Sequence, residues 1–199
     1  MSALQGNIFE HMFRDMNWKP PVVSELPQWP EHGRVGFDVE TRDEKLTTLG
    51  PGVRRGAKIV GFSFAIEDGP AHYVPIRHAM GDNVPNPEAA LQYLRDQAAR
   101  FKGVLVGGNM QYDLDFAEEE GIKFRPKWFR DIQVADPLIW ELHESYSVEA
   151  IAQRRGMEGK DERALREAAA EYKVDPKTEL WKLPGQFVSK YGIRDARLP

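Results

Sequence analysis

The 199-residue sequence contains no cysteine. That excludes a disulfide scaffold, a cysteine nucleophile and any site in which thiolates hold zinc or an iron–sulfur cluster. Long apolar runs are missing too: no window approaches the ~18 consecutive apolar residues of a membrane span. The N-terminal stretch carries Glu10, Arg14 and Asp15 among scattered apolar positions, without the basic-then-apolar order of a secretory signal. A soluble, intracellular, cytoplasmic protein with no membrane partner is expected. Nor is there an excess of positive charge, since 27 Lys and Arg face 31 Asp and Glu for a formal net charge of −4. A domain that grips nucleic acid by phosphate neutralisation alone is usually basic. A site that collects carboxylates for metal ions lowers the charge by itself, so the balance does not forbid a nucleic-acid enzyme. What is present suits one domain: hydrophobic residues make up 41%, enough to fill a single core.

Residues 1–32 read as an N-terminal extension, an arm packed on the main domain. An amphipathic turn or two (Ile8, Phe9, Met12, Phe13, Met16) runs into Trp18-Lys19-Pro20-Pro21, and Pro27 and Pro30 keep the backbone extended or turning. The pattern then changes. Arg34–Glu40 alternates, with Val35, Phe37 and Val39 on one face and Gly36, Asp38 and Glu40 on the other. Lys58–Ile66 is β-rich and ends at Asp68-Gly69, and Ala71–Ile76 follows as a third strand of a meander. After Asn86-Pro87 the spacing of Ala90, Leu91, Leu94, Ala98 and Phe101 predicts a helix. Val104–Val106 reads as a short buried strand closed by Gly107-Gly108, and Met110–Glu120 as a helix. Further helices are expected over Ile132–His143, Ser147–Arg155, Glu162–Tyr172 and Pro184–Arg194, with Gly159–Glu162 as a polar loop. The order predicts an α/β domain with a mixed sheet.

Three carboxylate motifs occur along this framework. In Asp38-Val39-Glu40, residues two apart on a strand project to one face, so both carboxylates point together, opposite the buried positions. Taken alone the pair also suits a strand end with solvated acids, although aspartate is disfavoured inside a strand. In Asn109-Met110-Gln111-Tyr112-Asp113, Asn109 is expected to cap the helix, with Asp113 one turn on and near the positive helix end. In Tyr191-Gly192-Ile193-Arg194-Asp195, the phenol and the carboxylate share a helix face, as an ordinary surface pair also would. Together the motifs gather four carboxylates and one phenol at one end of a sheet. Four such charges repel and raise one another's pKa unless cations sit among them. Two Mg²⁺ balance that charge, and hard oxygen donors without His or Cys select Mg²⁺ or Mn²⁺. Two ions about 3.5–4 Å apart suit in-line displacement at phosphorus.

The set Phe37–Thr41, Gly107–Asp113 and Tyr191–Asp195 resembles the three motifs of the DEDDy 3′–5′ exonucleases. It is most similar to the proofreading domain of family A DNA polymerases, of the bacterial polymerase I type. The similarity extends to Val60–Ile66, His72–Ile76 and the segment around Asp131, and covers about Arg34 to Ala196. It implies a ribonuclease H-like (DnaQ-like exonuclease) α/β fold, a mixed central sheet flanked by helices, over residues 33–199. It further implies that Asp38, Glu40 and Asp195 ligate the metal that activates the attacking water. Asp38 would bridge to a second metal with Asp113 close by, and Tyr191 would aim the water at the terminal phosphodiester. Asn109 and Thr41 would contact the terminal nucleotide. The implied partners are a single-stranded DNA 3′ end and a polymerase domain or subunit.

The histidine subtype needs His five residues before the third-motif Asp, and no histidine meets that offset, so the tyrosine subtype is expected. Three features depart from the pattern. Gly108 replaces a residue that is often polar, Gly192 costs a helix about 1 kcal/mol relative to Ala, and Pro199 follows Asp195 by four residues. The last helix is therefore expected to be truncated and to fray. With a net negative charge, strand contact is expected to rest on stacking and a few cations rather than on a basic groove. Two alternatives remain open: a ribonuclease D-like trimmer of RNA 3′ ends, and a non-catalytic exonuclease-fold piece of a split polymerase.

Overall fold

A computed structural model describes Asp15 and residues 17–157 and 163–199. The amphipathic turn expected over Ile8–Met16 and the loop expected over Gly159–Glu162 lie outside the described residues. Five strands form one sheet: β1 (Arg34–Arg42), β2 (Lys58–Ile66), β3 (Ala71–Pro75), β4 (Val104–Gly107) and β5 (Trp128–Asp131). Their order is β3-β2-β1-β4-β5. The β1–β2 and β2–β3 pairs are antiparallel, and β1–β4 and β4–β5 are parallel. The sheet is therefore mixed, as the sequence predicts, but it has one strand more. Trp128–Asp131 carries no alternation of burial, because it lies at the sheet edge with Trp128, Phe129 and Arg130 exposed. Periodicity cannot find a strand that buries neither face.

Six helices longer than a single turn are described: α1 (Pro87–Arg100), α2 (Met110–Glu119), α3 (Ile132–Ile139), α4 (Val148–Arg154), α5 (Arg163–Tyr172) and α6 (Gly185–Arg197). Asn86 caps α1 by accepting from the Ala89 N–H, with Pro87 at the first position, where it forfeits no helical bond. The third helix is shorter than the expected Ile132–His143. Pro137 lies inside it, and Leu138, Ile139, Trp140 and Leu142 are all exposed, so no core holds a further turn. The buried Asp136 of α3 instead ties to α4 through Arg154, with Arg155 at 3.5 Å.

The two faces of the sheet differ in residue size, and that difference positions everything else. On one face Val35, Phe37, Val39, Phe62, Phe64 and Val74 meet Leu91, Leu94 and Ala98 of α1 and Phe116 of α2. Fully burying each such large side chain contributes roughly 1.5–3 kcal/mol. Leu26 and Trp29, from the stretch read as an extension, belong to the same core; Trp29 meets Phe101 edge-on at 5.7 Å. On the other face, the registered pairs Gly36–Ala65, Asp38–Ser63 and Glu40–Gly61 are small or acidic. Here α6 lies close to the strands, and α5 and Tyr73 complete a second apolar cluster with Leu180, Leu183 and Val188.

Candidate active site

Strand β1 reaches past the short β4, which pairs with it only over Arg34–Gly36. The Val39 N–H beyond that point donates to Asp113 Oδ1 of α2 at 3.3 Å. The helix is thereby pinned at the carboxyl end of β1, the end at which open α/β sheets bind ligands. A register shift between Glu40 and Thr41 follows, so Thr41 pairs with Ile59 rather than Val60. Such bulges re-aim side chains at the rim of a site. Thr41 Oγ1 lies 2.6 Å from the Tyr112 hydroxyl.

Glycine lets the last helix close on this rim. A Cβ on Gly36 would stand 1.8 Å from the Ala196 carbonyl oxygen, and one on Gly192 would stand 2.6 Å from Ser63 Oγ and 2.8 Å from the Tyr73 ring. The helical cost of Gly192 is thus the condition for contact between α6 and β2–β3. That contact brings Asp195 to β1: Asp38, Glu40 and Asp195 each offer a carboxylate oxygen, and the three oxygens lie within 4.8 Å of one another. The three side chains are half-buried and suit one divalent ion. Asp113 is not part of this group, being buried 4% exposed beneath Val39. Burial first, and then the charge of Asp38, Glu40 and Asp131, holds its carboxyl well above the ordinary carboxylate range. Tyr191 stands beside the group; burial, then Glu40, Asp195 and Asp38, push its phenol far above the ordinary value. A set of hard oxygen donors whose ionised forms oppose one another fits Mg²⁺ or Mn²⁺.

A cleft of about 910 Å³ reaches the site at Glu40 and Tyr191, with Thr41, Asn109, Tyr112 and Arg166 also in its lining. Asn109 differs from expectation. Its backbone is left-handed (φ 57°, ψ 43°) and its side chain caps nothing. The cap comes from Asp131 on the neighbouring strand, which accepts from the Asn109 and Met110 N–H groups at 3.2 and 2.8 Å. The same carboxylate caps α3 through the Gln133 and Val134 N–H groups at 2.9 and 3.3 Å. Relieved of capping, the Asn109 side chain is exposed in the cleft. Gly108 also has a local reason: a Cβ there would stand 2.6 Å from Val148 at the start of α4. Tyr112 lies within a motif and lines the cleft, although the sequence pattern alone points to no role for it. Arg166 and Lys177 reach the cleft lining from segments that carry no motif.

Tyr73 lies under α6, its hydroxyl against Gly61 and 2.5 Å from Nε2 of the buried His78. Burial pushes the His78 imidazole down to about 4. The His78 loop also holds the entry to α6: Ala79 N–H donates to the Trp181 carbonyl, and Gly185 N–H to that of Gly81.

No family model matches the chain. It is 54% identical over 202 residues to a DNA-directed DNA polymerase of Pseudomonas phage M6, an alignment that takes in all of this chain. It is 30% identical over 158 residues, 71% of its length, to the DNA polymerase DpoZ of Vibrio phage phiVC8. The chain spans 30% and 24% of these two relatives. Among solved structures, Brucella melitensis NrnC matches 87% of this chain and 74% of its own, at 16% identity and a TM-score of 0.53. A structure of NrnC with bound Mg²⁺ matches the same shares at a TM-score of 0.50. The chain thus has a ribonuclease H-like fold and is related along its full length to a segment of a phage DNA-directed DNA polymerase.

Proposed function

We propose that the chain is a metal-dependent 3′–5′ exonuclease that removes terminal nucleotides from single-stranded or frayed DNA ends, as in polymerase proofreading. The observation that carries this reading is the convergence of Asp38, Glu40 and Asp195 within 4.8 Å, with Tyr191 beside them. Divalent ions bound there would lower the pKa of a coordinated water and offset charge developing at phosphorus. Asp38, Glu40 and Asp195 would be the ligands of one ion, and Asp38 with Asp113 would be available to a second. Tyr191 keeps its proton at neutral pH, because a phenol near 10 is protonated there and its surroundings push it higher. It therefore serves as a hydrogen-bonding group that orients the attacking water, and proton removal falls to the site as a whole. Thr41 and Asn109, in the lining of the cleft, would contact the terminal nucleotide. The similarity to phage DNA polymerases supports DNA as the substrate and a polymerase as the partner.

The test is a 5′-labelled single-stranded DNA incubated with the chain and Mg²⁺ or Mn²⁺, beside an Asp38→Ala control and a matching RNA. A metal-dependent ladder shortening from the 3′ end, absent in the control, is expected. Shortening that persists in Asp38→Ala, or none at all from the folded chain, overturns the proposal. A strong preference for RNA would replace proofreading with RNA trimming.

A further inference from the structure

Next to the cleft, across the buried Asp43 that lines both, lies a second groove of about 480 Å³. Its lining includes Arg42, Lys45, Arg55, Lys58 and Arg77 against Asp43 and Glu44. Five cations against two acids contrast with a chain of net charge −4. Some of these cations are engaged. Arg77 binds Glu120 through two hydrogen bonds and donates to the Ile59 carbonyl. Arg42 pairs with Glu44, and its guanidinium lies 4.3 Å from the centre of the Trp181 ring. Asp43 accepts from the Gly52 and Lys45 N–H groups, so its carboxylate folds the loop that presents Lys45 and Arg55. Lys45 and Lys58 are exposed and have no ion pair among the described residues.

Strand register supplies an independent observation. Arg42 stands directly opposite Lys58 in the β1–β2 ladder. Like charges so placed destabilise a sheet. Glu44 answers the charge of Arg42 alone, and an anion lying over both side chains would relieve the repulsion that remains. The anion that fits is one that continues from the cleft, because Thr41 lines the cleft and the next residue, Arg42, lines the groove.

We infer that this groove carries the phosphodiester backbone of the strand whose 3′ end enters the cleft, with Arg42, Lys45, Arg55 and Lys58 as its phosphate contacts. The inference rests on the exonuclease reading and adds the path of the substrate to it.

The test is the salt dependence of binding of a fluorescent oligothymidylate to the full chain in EDTA, read by anisotropy between ~50 and ~200 mM salt. In the double variant Lys45→Ala/Lys58→Ala the slope of log K against log salt is expected to shrink by roughly 1.4, about 0.7 for each phosphate that is no longer neutralised. A control double variant at exposed lysines outside the groove, Lys102→Ala/Lys123→Ala, is expected to keep the wild-type slope. In Lys58→Glu the new carboxylate faces Arg42, so the melting temperature is expected to rise while binding weakens. Equal slopes in the groove and control variants, or no saturable binding by the wild type, overturn the inference. Hydrolysis by the wild-type chain with Mg²⁺ or Mn²⁺ is measured in parallel. A slope difference without any hydrolysis sinks the exonuclease reading and leaves a strand-binding groove.

Discussion

Asp113 shows how one buried ionisable side chain can work against stability. It is buried beside Asp38 and Glu40, and its carboxyl is held above the ordinary range. For a raised carboxyl the sign is fixed: its contribution is fully present below the unfolded value of about 3.8 and is lost as pH rises through the folded value. At neutral pH, ionised Asp113 therefore opposes folding unless a cation joins it. Asp113→Asn keeps an oxygen for the Val39 N–H and removes the charge. The expected outcome is a higher melting temperature for the variant than for wild type in EDTA at neutral pH. The gap should close on acidification and on adding Mg²⁺, and the variant should lose hydrolysis. Tyr191→Phe tests the phenol with the ring retained. Groups that position a proton or water contribute about 10²–10⁴-fold, so a fall in kcat of ~100-fold is expected, with oligonucleotide affinity unchanged in EDTA.

Among the elements, α6 and the paired starts of α2 and α3 decide the geometry. Gly192→Ala raises the intrinsic helix propensity of α6 by about 1 kcal/mol. Its new Cβ nevertheless meets Ser63 and the Tyr73 ring at under 3 Å. Overpacking of this kind costs about 1–3 kcal/mol, so urea denaturation should show no gain or a net loss. Hydrolysis should fall further than stability, because Tyr191 and Asp195 shift with the helix. Asp131 has its effect at two helix ends at once, accepting from four backbone N–H groups. Loss of one cap costs about 0.5–2 kcal/mol. Asp131→Ala should therefore lower the unfolding free energy by about 1–4 kcal/mol, and Asp131→Asn by less. Neither glycine packing nor a cap donated from another strand is visible in a local window of sequence, whereas Asn86-Pro87 at α1 is.

Across the whole molecule, the buried Tyr73–His78 pair ties β3 to the loop that holds the entry to α6. His78 is neutral in the folded state because burial pushes its imidazole down to about 4. The unfolded chain binds a proton near 6.5, so the stability this group confers is present above that value. It is lost as pH falls from 6.5 toward the folded value, on the order of 3 kcal/mol in all. Urea denaturation at pH 7 and pH 4.5 should reveal this loss, and it should be smaller in His78→Gln. Among the described residues no helix is long and apolar enough to cross a membrane.

Sequence by itself determined the elements whose residues alternate, form short β-rich runs, recur at helical spacing or are locally capped: β1 to β4, α1, α2, α4, α5 and the presence of α6. It also determined the candidate ligands, since Asp38 and Glu40 are two apart on a strand, and a residue's period follows from backbone geometry alone. Tertiary structure decided the rest. Edge strand β5 buries no face, so no pattern marks it. Asn109 exchanged its expected capping role for exposure because a carboxylate 22 positions away was better placed. Three of the four carboxylates meet within 4.8 Å, and Asp113 lies next to that group but outside it, accepting from the Val39 N–H. The cationic groove draws on β1, β2 and the segment after β3, and its charges sum only when those strands pair. Proximity between distant residues depends on packing, and packing is set by the volumes of side chains that meet only after folding.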